Sequence, residues 1–235
     1  MESSGQSPTE GQSPPEGPPP AVPSPGAVSD HPVTFSVDYP DRDLNRVSTG
    51  FRIFAAIPIV IVAATLSGGY PSWGGGYGVG TVGGALAGLL FIPPLLMILF
   101  RQKYPRWWYD WNLQLARFTA RIGVYGSLMD DRYPSTDEQQ SVHLDFPYPD
   151  PKTDIDRGMP LVKWLLAIPH YVVLVFLYIG LFFALIFTWF AILFTGRYPR
   201  GVFGFAEGVY RWHWRVVGYA FLLVTDKYPP FRLGP

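Results

Sequence analysis

The chain has 235 residues with no net charge, no cysteine, 48% hydrophobic and 15% charged positions, a balance more apolar than that of a soluble domain. Disulfides, thiolate metal sites and cysteine nucleophiles are excluded, and the lack of a dense basic run argues against nucleic acid as a partner. All eighteen Lys and Arg residues follow position 41.

Residues 1–32 hold nine prolines with Ser, Gly and Gln and no cluster of large apolar side chains, so they read as a disordered, Pro-rich cytoplasmic tail. A basic n-region with an apolar h-region is missing, so membrane insertion is expected from internal segments. Val33 to Pro40 and Val142 to Pro149 alternate apolar and polar residues and read as short strands, which either fold onto their own units or pair with each other.

Ile53 to Phe100 and Trp164 to Thr195 contain no Asp, Glu, Lys or Arg. In the first stretch the glycine-rich segment from Ser67 to Gly76 separates a helix near 51–66 from another near 82–100. No Gly-Lys-Ser or Gly-Lys-Thr accompanies these glycines, so they read as a flexible tip rather than a phosphate loop.

Two halves of the chain correspond in order. Tyr39-Pro40-Asp41, Ala56-Ile57-Pro58, Tyr104-Pro105-Arg106, Arg117, Arg121, Asp131 and Tyr133-Pro134 match Tyr148-Pro149-Asp150, Ala167-Ile168-Pro169, Tyr198-Pro199-Arg200, Arg211, Arg215, Asp226 and Tyr228-Pro229. The offset falls from 111 before the tip to 94 after it, so the first unit is seventeen residues longer. An insertion of that size is accommodated at a turn, which predicts a turn near Tyr178-Ile179-Gly180 in the second unit.

The expected fold is an all-α membrane protein of two tandem helical-hairpin units with four transmembrane helices. An amphipathic interfacial helix follows each hairpin, and a short β segment precedes each unit. The units are bounded at 33–135 and 136–235. Each leg is 16–18 residues, short of the roughly 20 that cross a bilayer upright, so reentrant hairpins are the alternative. Lys and Arg outside the hairpins put both termini and the middle segment in the cytoplasm of a multi-pass protein.

Trp107, Trp111, Leu115 and Phe118 recur at helical spacing after the first hairpin, and Phe205, Val209, Trp212 and Val216 after the second. Arg117 with Arg121, and Arg211 with Arg215, lie one turn apart. Together with Arg52 they are candidates for an anionic lipid headgroup or a partner, against the plainer reading of pairing with Asp131, Asp226 or Glu207. His170 is the candidate intramembrane polar site, and Ile59 stands at its place in the first unit. Asp130-Asp131 and Asp137-Glu138 read as solvated charge. No catalytic residue, cofactor site or metal-ligand spacing is expected.

Tyr148-Pro149, Arg157, Ala167 to His170, Phe194 to Pro199, Arg211 to Val216 and Asp226 to Phe231 together resemble the domain of unknown function 4389 family. The likeness covers about 34–233 as two copies, the first departing at Ile59 and at Arg101-Gln102-Lys103. It implies a bacterial, mostly actinobacterial, cell membrane protein and offers no reaction. The functional expectation is a noncatalytic accessory or scaffold subunit contacting the lipid bilayer, anionic lipid and membrane partners. The alternative is a small transporter or lipid-handling protein with a headgroup site at the repeat interface.

Overall fold

The computed structural model describes residues 31–66, 92–136 and 138–235. The Pro-rich tail up to residue 30 and the glycine-rich tip lie outside them. The elements are β1 (Thr34–Val37), α1 (Arg46–Leu66), α2 (Ile92–Arg101), α3 (Arg106–Gly126), β2 (Val142–Asp145), α4 (Met159–Leu166), α5 (Ile168–Thr195) and α6 (Arg200–Ala220).

Two stretches, Arg46–Ala63 and Met159–Thr195, are long and apolar enough to cross a membrane. The predicted turn at Tyr178-Ile179-Gly180 is absent, because α5 is one continuous helix of 28 residues through those positions. Gly180 supplies a close approach instead of a turn: an ideal Cβ there would sit 3.6 Å from the ring of Phe205. The intrinsic cost of a mid-helix glycine, about 1 kcal/mol, is small beside the packing of the helix on either side. The only interruption is Ala167, where Pro169 in the first turn of α5 follows the end of α4. In α1 the corresponding Pro58 lies inside a continuous helix.

α3 and α6 begin and end 94 residues apart, each opening after a Tyr-Pro whose proline is extended. Proline suits that boundary, since it lacks the amide hydrogen that a first turn leaves unpaired. Expected at the membrane interface, α6 is instead an internal helix, with Ala206, Val209, Val216, Tyr219 and Ala220 at 0–1% exposure. One side of it meets α5 and the opposite side meets β1.

β1 pairs antiparallel with β2, Phe35 opposite Leu144. Each strand then lies on the helix of the other half, β1 on α6 and β2 on α3. Arg211 Nε donates to the Phe35 carbonyl at 3.0 Å, and Arg117 Nε to the Leu144 carbonyl at 2.9 Å. Tyr148 donates to the Tyr104 carbonyl at 2.6 Å and Tyr39 to that of Tyr198 at 2.5 Å. The alternation of the sequence sets this up: Phe35, Val37, Leu144 and Phe146 face inward to one hydrophobic core drawn from both halves, while Ser36, Asp38, His143 and Asp145 stay exposed.

Gly218 is where β1 comes closest to α6, and a Cβ there would lie 2.8 Å from Val33 and 3.3 Å from Val224. Gly218→Ala is expected to lower stability by about 1–3 kcal/mol through overpacking. Gly180→Ala, with ordinary contact distance available, is expected to leave stability unchanged or raise it by up to about 1 kcal/mol. Thermal unfolding of both variants in detergent checks this; marked destabilisation by Gly180→Ala would speak for a turn at that position.

Candidate functional site

Each half buries a cation where its long helix meets the loop after its internal helix. Lys163 of α4 is fully buried, with Nζ 2.6 Å from Asp226 Oδ1 and donating to the Thr225 carbonyl at 2.8 Å. The ring of Tyr219 lies 5.3 Å from the ammonium. Arg52 of α1 repeats this arrangement, with Nη2 2.6 Å from Asp131 Oδ1, hydrogen bonds to the carbonyls of Tyr125 and Asp130, and its guanidinium 4.5 Å from the Tyr125 ring. Asp226 and Asp131 each also accept a backbone amide from the segment leading into the long helix, Asp156 and Asn45, both at 2.8 Å. Leu223 and Leu128 hold the loops in place with φ of 56° and 64°, an uncommon conformation for leucine. Guanidinium does not act as a base at neutral pH, so the matching geometry of Arg52 describes Lys163 as a brace between helix and loop.

His170, on the first turn of α5, is fully enclosed by aromatic rings. Phe231 stacks on it at 4.1 Å, Tyr228 lies at 4.8 Å, and Trp212 Nε1 donates to Nδ1 at 3.0 Å. Since the indole only donates, Nδ1 carries no proton and Nε2 carries it. That Nε2 has no hydrogen-bond partner. His213, one residue after Trp212, turns to other rings, Trp214 at 5.3 Å and Tyr178 at 5.9 Å. Among the described residues no three His, Asp or Glu side chains gather as a metal site.

Residues 159–232 match the family model of a domain of unknown function, DUF4389, as one copy. Searches of curated proteins and of solved structures return no match. Within the DUF4389 segment, motif residues far apart in sequence converge: His170, Trp212, Tyr228 and Phe231 make one cluster, and Tyr228 joins it to Tyr219 at 5.6 Å and so to the Lys163 brace.

The five candidate arginines do not share one site. Arg52 sits in its brace, Arg117 and Arg211 bind strand carbonyls, Arg121 donates to the Ser135 carbonyl at 2.7 Å, and Arg215 to that of Gly234 at 3.0 Å. Arg211 also pairs with Glu207, and Arg117 with Asp145 at 3.2 Å. Burial, with Arg211 and Arg232 nearby, lowers the Arg215 pKa to about 10, so it stays charged at neutral pH.

Asp130 is not the solvated carboxylate expected: it is buried, accepts from Ser141 Oγ at 2.6 Å and pairs with Arg132 at 3.0 Å. Burial works against its charge, yet those bonds outweigh it and hold the carboxyl below its usual range. Asp137 of the second carboxylate pair lies outside the described residues. Lys163, absent from the sequence candidates, was marked there only by its offset of 111 from Arg52.

Between α1 and α5 runs an apolar groove of about 800 Å³, lined by Ile53, Ile57, Ile61, Leu185, Ile186 and Phe190. Thr49 and Arg52 close one end, where Thr49 Oγ1 and Arg52 Nε are buried without a hydrogen-bond partner.

Lys163→Arg is expected to fold with little loss, whereas Lys163→Met removes one partner of a buried pair and is expected to cost on the order of 3 kcal/mol, read by thermal or denaturant unfolding. His31, 1% exposed, is held neutral in the fold, burial being the main cause of a pKa lowered from 6.5 to about 4. The unfolded chain takes up that proton first, so this part of the stability is whole above pH 6.5 and is lost as the pH falls toward 4, by no more than about 3 kcal/mol. His31→Gln should flatten that portion of the stability profile.

Proposed function

We propose that the chain is a noncatalytic accessory or scaffold subunit of a bacterial cell membrane, of the actinobacterial kind its motifs resemble. In this reading it is built from two tandem copies of one unit, with both termini cytoplasmic, and it engages membrane proteins and anionic lipid. The observation that carries the reading is the outer surface of α1 and α5. Phe51, Phe54, Phe176, Phe183, Phe187 and Phe194 are 61–77% exposed, and no charged residue accompanies those of α5. Aromatic and aliphatic surface of this extent marks a face that meets lipid or a membrane partner. The recurring braces at Arg52 and Lys163, the exchanged strands and the 94-residue spacing of α3 and α6 support the tandem reading. Helices of this kind sit either across the bilayer, as in a multi-pass protein, or along one leaflet.

Affinity purification of the full chain from native membranes in mild detergent is expected to return the same membrane proteins in repeated preparations, with the chain resisting alkaline extraction. Recovery of the chain alone would contradict a scaffold role.

A second reading, lipid handling, is favoured by the groove between α1 and α5 with its unpaired Thr49 and Arg52 donors. Native mass spectrometry is then expected to find a retained lipid that Ile57→Trp, which fills the groove, displaces. No retained lipid in the parent chain would remove this reading.

A further inference from the structure

We infer that α5 lies along one leaflet and does not cross the bilayer, so that the protein is seated on the apolar face of that helix among anionic headgroups. The inference rests on the membrane reading above and concerns how the helix is seated.

A stripe of buried residues, His170, Leu174, Leu181, Thr188 and Ile192, runs along α5 on one face. At 28 residues the helix is about 42 Å long. Its opposite face is apolar and exposed from Val172 to Phe194. α6 packs along the stripe, with Trp212 at His170 and Phe205 at Gly180. β1 in turn runs along the other side of α6, with Val33 at Gly218, Phe35 bonded to Arg211, and the Tyr39 ring 5.0 Å from Phe203. The three elements are stacked in layers and extend in a common direction.

That stacking decides the orientation. If α5 crossed the hydrocarbon, α6 and the strands beside it would cross at the same depth. Ser36, the exposed His143–Asp38 pair and the exposed Asp145 would then face lipid. Charged side chains are not sustained in contact with hydrocarbon. Laid along a leaflet, the same layers put the apolar face of α5 in the acyl region and the strands in water.

Both ends of α5 are fastened to the polar body. Lys163 binds Asp226 just before its start, and after its end the Gly196 carbonyl accepts from the Leu44 amide at 2.8 Å. Charge supports the same seating. Exposed Arg46, Arg101 and Arg157 stand at the ends of the apolar helices, where Arg197 pairs with Asp43 at 3.1 Å, while Asp38 and Asp145, 68–69% exposed, lie on the strand side.

The absence of native cysteine makes the test direct. Val172→Cys, Phe183→Cys and Phe194→Cys are spaced eleven residues apart on the exposed face of α5, and Ser36→Cys marks the strand side. Each full-length variant is labelled with a fluorophore in phosphatidylglycerol-containing vesicles and quenched by lipids brominated at known depths. The three α5 labels are expected at one common depth within a leaflet, with the Ser36 label unquenched. A Phe183 label about 16 Å deeper than the other two would establish a crossing helix and overturn the inference, leaving the membrane reading intact. Labels shielded from lipid quenchers but showing energy transfer between copies would mean that a second copy covers the face, which also overturns it. Protein remaining in the aqueous fraction would overturn the membrane reading itself.

Discussion

The structure depends on two hydrogen bonds that carry each strand onto the helix of the other half, Arg211 to the Phe35 carbonyl and Arg117 to that of Leu144. A two-stranded sheet alone is marginal in water. Here its inward residues pack on α3 and α6, while guanidinium groups satisfy carbonyls in its strands. Because β1 belongs to α6 and β2 to α3, neither half has a complete core of its own. The exchange also separates the polar layer from the apolar one, since each internal helix has a strand on one side and is free to receive a long apolar helix on the other.

The buried cations are the second element of that order. Taking an ammonium or guanidinium out of water is costly unless the charge is paired and its remaining donors are bonded. Arg52 and Lys163 are each paired with an aspartate, one or two carbonyls and an aromatic face, Arg52 keeping only its Nε unbonded, and their loops reach the required shape through a leucine at positive φ. They therefore fix where each long apolar helix leaves the polar body. His170 has a different environment: the rings of Phe231, Tyr228 and Trp212 enclose it, Trp212 sets its tautomer, and the corresponding residue in the first half is Ile59.

Much of this order is legible in the sequence where local pattern determines it. The Tyr-Pro boundaries fix the start of α3 and α6, and the alternation around Phe35 and Leu144 gives the strands. The choice between pairing with its own helix or with the other strand needs the tertiary structure, because the same alternation serves both. The turn expected at Gly180 fails for a physical reason. Seventeen extra residues in one half do not oblige the other half to bend, and a glycine facing Phe205 suits a continuous helix as well as a turn. The arginines were visible as pairs one turn apart, but their partners are backbone carbonyls, which no side-chain pattern reveals. Lys163 was hidden inside the flank of an apolar run, and the aromatic enclosure of His170 is assembled from residues up to 61 positions away.

The exchange of strands is tested most directly by hydrogen exchange on the full chain carrying Arg211→Ala. The account predicts that protection falls first at Phe35 to Val37, in the half that does not contain the substitution. Loss of protection confined to Leu144 to Phe146, with β1 unchanged, would show that each strand rests on its own half and would contradict it.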